Sequence, residues 1–213
     1  MAATEHPLKE LERFLPEHSF EKVVEYLYLY KVHLTIAKSR KSVLGDYRHA
    51  HQGSNHRISV NGNLNPYEFL ITLLHEIGHL LTFERYKNRV DPHGIEWKAA
   101  YSKLLVDFIG FGVFPNEIVN ALQKSIISPA ATANGETDLL LVLRKYNLKQ
   151  KEGVLFLSAL PLGALFVLEN GKIFKKGLLR RKRFACVELK TGLQYTVSAI
   201  TEVKALTVGT YHS

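Results

Sequence analysis

Two histidines and a glutamate in one short segment, His75, Glu76 and His79, have the residue types and the spacing of a metal site. On a helix, residues four apart lie on the same face, so both imidazoles can bind one metal ion. Glu76 would lie next to that ion without being needed as a ligand. A carboxylate in this position can take a proton from a metal-bound water. The HExxH pattern therefore predicts a catalytic Zn²⁺ site with Glu76 as the general base.

A catalytic zinc ion usually has three protein ligands and one open position, so a third ligand is expected downstream. The metzincin spacing would place glycine at position 82 and histidine at position 85; the chain has Thr82 and Arg85, which excludes that class. The remaining candidates are His93 and Glu96. We favour His93 as the ligand because imidazole is common in zinc sites and Glu96, three residues on, is placed to hydrogen-bond to a ligand. Glu96 as the ligand is the alternative.

The sequence around the motif has the pattern of a buried helix. Asn65 and Pro66 suit the cap and the first position, and the helical pattern continues to about Tyr86. Apolar residues recur at helical spacing and would surround most of this helix with core. Polar side chains at such positions are costly unless something pairs with them, and a metal ion bound by neutral imidazoles would do so. Asp91 and Pro92 predict the start of a further helix that continues to Phe108.

These motifs resemble the SprT-like metallopeptidases, the family of the bacterial SprT proteins and the eukaryotic protease Spartan. The resemblance covers roughly residues 10 to 125 and rests on the HExxH helix, on the HGxEW stretch His93–Trp97 and on two weaker upstream segments, 41–48 and 56–60. It implies a zincin-like helical metalloprotease domain with a small β-sheet, and peptide-bond hydrolysis as its activity. By analogy with Spartan, it also implies substrates attached to DNA. The zinc ligands and general base that it implies are His75, His79, His93 and Glu76.

The single cysteine limits how far the resemblance extends. Many SprT-like proteins carry a cysteine-rich zinc ribbon after the protease domain, and a chain whose only cysteine is Cys186 cannot build one. One cysteine also allows no disulfide within the chain, which is consistent with a reducing compartment. Residues 1–10 have no apolar stretch behind a basic start, so no secretory signal is visible. We expect a cytoplasmic protein, and a monomer.

Positive charge is concentrated towards the end of the sequence. The formal net charge is +8, and the residues from Glu169 onward carry nine basic and three acidic side chains. Such a patch can neutralise phosphates, and together with the resemblance it predicts a DNA-binding surface. The alternative is a solvated hairpin whose cations discourage edge-to-edge pairing of sheets. The candidate nucleic-acid-binding residues are Lys175, Lys176, Arg180, Arg181, Lys182 and Arg183.

The length allows one sizeable domain with a small appendage, and the predicted fold class is α+β. We expect a protease domain over residues 1–130, a linker with a short helix over residues 131–150 and a small basic antiparallel β module over residues 151–213. The uncharged segment 153–168 is shorter than the roughly 20 residues of a membrane span, and Pro161 and Gly163 interrupt it. We therefore expect strands there and no membrane insertion.

The first domain is predicted to carry a small sheet beside its helices. We expect the strand His56–Val60 to be an edge strand that holds the substrate in extended form. The loop histidines His49 and His51 are expected to face solvent rather than to form a second metal site. The predicted helices lie at residues 7–15, 19–31 and 115–125, and the predicted strands at residues 33–38 and 56–61.

The sequence thus predicts a zinc-dependent endopeptidase whose substrates are proteins, including proteins bound to DNA. Tyr47, Tyr86 and Tyr101 are possible partners for the oxyanion, although packing is the more frequent role. The rival hypothesis is a nucleic-acid-binding protein, linked to transcription or repair, whose zinc site is mainly structural. Glu76 argues against that rival, since a structural site needs no base. A metal hydrolase acting on a non-peptide bond is a third possibility.

Overall fold

The chain divides into two compact units, Met1–Asn147 and Leu148–Ser213. A computed structural model describes residues 8–40, 43–129, 137–147, 153–181 and 183–206. The first unit combines helices with a three-stranded sheet, and the second is built around a six-stranded sheet. The predicted α+β class is confirmed.

The sheet of the first unit has the order β1-β3-β2. Strand β1 (His33–Ala37) runs parallel to β3 (Arg57–Asn61), and β2 (Gly45–Arg48) runs antiparallel to it. The predicted edge strand was wrong, because the segment 57–60 belongs to the central strand, whose Ile58 and Val60 are buried. The edges of the described sheet are instead β1 and β2, and β2 lies between the two predicted strands, where no strand was predicted.

The HExxH motif lies on α2 (Pro66–Tyr86), whose predicted start and end are confirmed. The Asn65 side chain accepts a hydrogen bond from the Glu68 backbone N–H at 3.1 Å, and proline occupies the first turn. Most of this helix is buried, since apolar residues cover more than one face. Two shorter helical elements precede it, a 3₁₀ helix at Lys9–Phe14 and α1 (Phe20–Leu29).

The next helix, α3 (Ile95–Gly110), begins three residues later than predicted. Asp91 and Pro92 do not open the helix, because the Gly94 N–H donates to the Asp91 carbonyl at 3.0 Å and closes a turn first. Gly94 is the cap residue, in an extended conformation. His93 therefore lies in a turn, and its position depends on that turn rather than on helical spacing.

Helices α4 (Asn116–Ile127) and α5 (Thr137–Leu143) complete the first unit. We predicted that the second of them would lie in a linker, whereas the boundary between the units falls after Asn147. Leu139, Leu140 and Leu143 of α5 are buried, and the Asn65 side chain donates to the Leu143 carbonyl at 3.0 Å. The apolar face of α5 explains why it packs with the helices before it. The rest of the predicted linker, residues 131–136 and 148–150, is outside the described residues.

The second unit is an antiparallel β module, as predicted. Its strand order is β4-β9-β5-β6-β7-β8, and each described pair is antiparallel. Gly171 has a φ of 79° in the turn between β5 and β6, which explains the Asn-Gly sequence there. Leu157, Phe166, Phe174 and Cys186 lie in its apolar core. The strands are β4 (Val154–Phe156), β5 (Leu165–Val167), β6 (Ile173–Arg180), β7 (Arg183–Glu188), β8 (Gln194–Ser198) and β9 (Glu202–Leu206).

The uncharged segment 153–168 contributes β4 and β5 to this module. None of the helices in the described ranges is long and apolar enough to cross a membrane.

Candidate metal centre

Three histidines converge at the point where α2 faces the turn before α3. His75 and His79 lie one helical turn apart on α2, and His93 reaches them from the turn; one nitrogen of each ring lies within 4.8 Å of the others. The Nε2 atoms of His75 and His93 are 3.4 Å apart. Two nitrogens bound to one tetrahedral zinc ion, each at about 2.1 Å, lie roughly 3.4 Å from each other. The donor set therefore fits a single metal ion.

Glu96 is not part of this group. In the portion of the chain that the structure describes, the potential metal-binding cluster consists of the three histidines alone. The Glu96 carboxylate instead lies beside Gly94, at the start of α3. This placement favours His93 over Glu96 as the third ligand.

Trp97 forms the floor beneath the three imidazoles. It is fully buried, and its ring centroid lies 4.6, 5.3 and 4.7 Å from the rings of His75, His79 and His93. Its indole N–H donates to the His75 carbonyl at 3.4 Å. The approach favours glycine at position 78, since a Cβ there would lie 3.1 Å from the indole nitrogen and would push the ring away by a few tenths of an ångström. An indole under the ligands limits how each imidazole can tilt.

The histidines are held in the form that binds metal. Burial, followed by the neighbouring His79 and His93, lowers the pKa of His75 to about 3. Burial and His93 lower the pKa of His79 to about 4, and burial lowers that of His93. Imidazoles must be neutral to bind a metal ion, so protons compete little with a metal at this site near neutral pH.

Glu76 lies against the edge strand of the sheet. A Cβ on Gly45 of β2 would lie 2.6 Å from Glu76 Oε1, so glycine is required where β2 passes this carboxylate. Burial, reinforced by Asp46, raises the pKa of Glu76 to about 8, while Arg40 acts in the opposite direction. The Glu76 carboxyl group thus has a near-neutral pKa and lines the same cleft as the three histidines.

A cleft of about 460 Å³ opens over the histidines and Glu76. Its lining also includes β2 with the residues around it, and Lys87, Asn88 and residues 90–93 after α2. The size is sufficient for a side chain and part of an extended backbone. The site is therefore accessible from outside.

Comparison with known proteins assigns the domain that contains this site. Residues 13–111 match the SprT-like family model. The first unit belongs to the SprT-like family. This membership supports a metallopeptidase-type domain and confirms the resemblance seen in the motifs. No curated protein and no solved structure matches the chain.

The SprT-like domain holds its candidate tyrosines in different settings. Tyr47 of β2 lines the cleft, and its hydroxyl lies 2.9 Å from His56 Nδ1. Burial, with Glu84 as the next cause, raises the pKa of Tyr47. Tyr101 is buried and stacks on Trp97, so it packs beneath the site, and Tyr86 is not among the residues that line the cleft.

The loop histidines near the SprT-like cleft differ from each other. His51 is exposed, as expected. His49 is also exposed, but its ring stacks on that of Phe83, with the ring centroids 4.4 Å apart, and lines the cleft. No local signal in the sequence indicated this contact, because the approach of His49 to the helix depends on the pairing of β2 with β3.

The predicted nucleic-acid-binding residues lie in the second unit and do not all face solvent. Lys175, Arg180, Arg181 and Arg183 are exposed, and Lys182 is outside the described residues. Lys176 was wrongly predicted, because it is only 5% exposed. Its ammonium group donates to the carbonyls of Ser158 and Leu160 and lies over the Phe184 ring, so it satisfies buried backbone groups.

Proposed function

We propose that the chain is a zinc-dependent endopeptidase of the SprT-like type, with His75, His79 and His93 as the zinc ligands and Glu76 as the general base. The observation that supports it best is the convergence of three neutral imidazoles beside a buried carboxylate in an open cleft. A mainly structural zinc site is the rival, and it would have no use for the cleft or for the carboxylate. Zinc at such a site supplies a Lewis acid that polarises a carbonyl group and acidifies water.

Glu76 would take the proton from the attacking water and return it to the leaving amine. Burial and Asp46 raise its pKa to about 8, so it can exchange a proton near neutral pH. Its contact with Gly45 leaves the carboxylate no room to turn towards β2. The carboxylate thus lies directly beside the edge strand that we assign to substrate binding.

We assign substrate binding to β2 in place of the segment 56–60. As one of the two edge strands of the described sheet, β2 pairs with β3 on one side only, and its residues Gly45, Asp46 and Tyr47 line the cleft. An extended peptide added to that edge would be held by main-chain hydrogen bonds, which read no particular sequence. This arrangement suits an enzyme that cleaves many different proteins.

The decisive test is cleavage by the Glu76→Gln variant. We expect the purified zinc-loaded protein to cleave an unfolded protein substrate, and Glu76→Gln to lose about 10²- to 10⁴-fold in kcat/KM while it still binds one zinc ion. Glu68→Gln is the matched control, because Glu68 is also a buried glutamate of α2 whose pKa is raised by burial, yet it is not part of the cleft. Equal activity of Glu76→Gln and the wild type would rule out the assignment.

We further propose that the β6–β7 hairpin contacts DNA and so directs the protease to DNA-bound proteins. Arg180 and Arg183 are directly opposite each other, and like charges in that position destabilise a hairpin. Arg181 has a φ of 57°, a conformation that costs a non-glycine residue about 1–2 kcal/mol. Within the described residues, no carboxylate forms an ion pair with these three arginines. An anionic partner such as a phosphate backbone would offset both costs.

Edge protection accounts for this hairpin less well. Arg183 lies on β7, which has β6 on one side and β8 on the other, so its charge does not guard a free edge. Its guanidinium also donates to the Thr196 carbonyl at 3.0 Å, which fixes the side chain at the tip of the hairpin.

Arg181→Gly tests the DNA contact, because it should weaken DNA binding without lowering the stability of the protein. Removing the left-handed arginine should leave the unfolding temperature unchanged or raise it, because glycine adopts positive φ freely. The affinity for DNA should fall. In a plot of the logarithm of the binding constant against the logarithm of the salt concentration, the magnitude of the slope should decrease by about 0.9. Lys190→Ala, at the opposite end of β7, is the control.

Cleavage assays on a DNA-binding protein as the substrate, with and without DNA, then separate the candidate functions. Faster cleavage on DNA that Arg181→Gly abolishes supports the whole proposal. DNA binding without cleavage by any form favours the rival, a nucleic-acid-binding protein with a structural zinc site. Cleavage that is indifferent to DNA refutes the targeting role of the hairpin and leaves the peptidase assignment in place.

A further inference from the structure

Three polar side chains form a chain of contacts that ends beside the metal-binding histidines. Glu84 Oε1, on α2, lies 3.3 Å from His56 Nε2. His56 Nδ1 lies 2.9 Å from the Tyr47 hydroxyl, and the Tyr47 ring is parallel to the His79 ring, at an interplanar angle of 4° and a centroid distance of 6.4 Å. The chain thus links the end of α2 to β2 and to one of the proposed ligands.

The backbone fixes the direction of these hydrogen bonds. The Ala50 N–H donates to His56 Nδ1 at 3.2 Å, so Nδ1 carries no proton in this arrangement. We assign the ring proton to Nε2, where it faces Glu84. The Tyr47 hydroxyl must then donate its proton to Nδ1. Because this hydrogen bond uses the hydroxyl proton, it argues against Tyr47 as a donor to an oxyanion, and it gives the Tyr47 ring one preferred position.

Packing alone does not require these polar groups. His56 is only 7% exposed, and its pKa is lowered chiefly by that burial. A phenylalanine at position 47 and an apolar residue at position 56 would fill the same space without the cost of burying polar atoms. A fully satisfied polar chain, by contrast, selects a single arrangement of the groups that it joins. Here the group at its end is an aromatic ring that faces His79 in the wall of the cleft.

We propose that Glu84, His56 and Tyr47 are positioning residues, which hold the His79 imidazole and the edge strand β2 in register at the metal centre. The inference rests on the proposed function, because it requires that His79 binds a metal ion. Trp97 contacts the ligands from below, and Tyr47 faces His79 at a distance from the side of the cleft. The His79 ring therefore has an aromatic neighbour on each of two elements, α3 and β2.

The test is Tyr47→Phe, which keeps the ring and removes only the hydroxyl. We expect its dissociation constant for Zn²⁺, measured by competition with a chromogenic chelator, to rise about tenfold, as is usual when a group that orients a ligand is lost. The visible absorption bands of the Co²⁺-loaded protein, which report ligand geometry, should also shift. Glu84→Gln keeps an acceptor for His56 and should cause a smaller change in the same direction. Tyr86→Phe is the control, because Tyr86 lies on α2 with Glu84 and His79 but does not line the cleft.

The outcomes separate this inference from the proposed function. A wild-type protein that binds no Zn²⁺ refutes the proposed metal centre. A wild type that binds Zn²⁺ while Tyr47→Phe shows the same affinity and the same Co²⁺ bands refutes only the positioning role, even if the unfolding temperature falls. If Tyr47→Phe does not fold, Glu84→Gln decides, because its side chain is 35% exposed and lies at the end of the helix.

Discussion

Replacing Gly45 by alanine tests whether the edge strand β2 sets the position of Glu76, the proposed general base. The new Cβ would lie 2.6 Å from Glu76 Oε1, 2.9 Å from Glu76 Cγ and 2.8 Å from Thr72 Cγ2. Ordinary contact begins at 3.4 Å, so the carboxylate oxygen would have to retreat by about 0.8 Å. A displacement of about 1 Å at a reacting group can lower the rate on the order of 100-fold.

The stability change combines two opposing effects. Overpacking a well-packed site costs about 1–3 kcal/mol, while glycine-to-alanine replacement at a compatible backbone gains about 0.4–1 kcal/mol through the unfolded state. Because the φ of Gly45 is not in the left-handed region, the gain applies in full. We expect a net loss of about 1–2 kcal/mol in the free energy of unfolding, which leaves the protein folded.

The assay is kcat/KM on an unfolded protein substrate together with zinc stoichiometry. We expect Gly45→Ala to lose activity on the order of 100-fold and to bind zinc as the wild type does, since the new Cβ is directed at Glu76 and Thr72. Gly110→Ala, at the end of α3 with no atom within 4 Å of the added Cβ, is the matched control. Activity of Gly45→Ala within about threefold of the wild type would refute the reasoning, and so would a loss of zinc.

Three further predictions concern the floor, the titrating groups and the buried lysine. Gly78→Ala gains about 1 kcal/mol of helix propensity but forces its Cβ against Trp97, so chelator competition should show about tenfold weaker zinc binding. In the metal-free protein, His75 and His79 have lowered pKa values, so the folded state loses stability as the pH falls below 6.5. Glu76 has a raised pKa, so the folded state also loses stability as the pH rises from 4.5 towards about 8. Below pH 6.5 the effect of two histidines on the free energy of unfolding exceeds that of one glutamate, so urea unfolding should show the greatest stability near pH 6.5. In Glu76→Gln, the stability should decline less steeply above that pH. Lys176→Met should lower the stability of the second unit by about 1–3 kcal/mol in thermal unfolding, because two carbonyls lose their donor, without changing the salt dependence of DNA binding.

Local signals in the sequence were sufficient for the helix that carries the motif. The Asn65 cap, Pro66 and the apolar spacing are all properties of neighbouring residues, and the observed bounds of α2 follow from them. His93 could be proposed as the third ligand from its residue type alone. Its place in a turn could not, because Gly94 closes that turn through a hydrogen bond that overrides the usual preference of Pro92 for the start of a helix.

Features that depend on distant pairing were missed. Strand β2 has the polar sequence Gly45–Arg48, which lacks the alternation of a strand and becomes one only through its register with β3. Lys176 shows the same limit in the second unit. Its neighbour Lys175 faces solvent and Lys176 faces inward, and consecutive strand residues can be told apart only when the register of the sheet is known.

Two glycines divide the control of the metal centre between different elements. Gly45 lets β2 approach the carboxylate of Glu76, and Gly78 lets the indole of Trp97 approach the backbone that carries His75. The HExxH helix is therefore contacted by a strand on the side of the base and by an aromatic floor on the side of the ligands. Because the added Cβ atoms meet different side chains, the two alanine variants should impair different steps, proton transfer for Gly45 and metal binding for Gly78. A motif of five residues specifies which groups take part, whereas the glycines at these contacts determine how closely the rest of the domain can hold them in place.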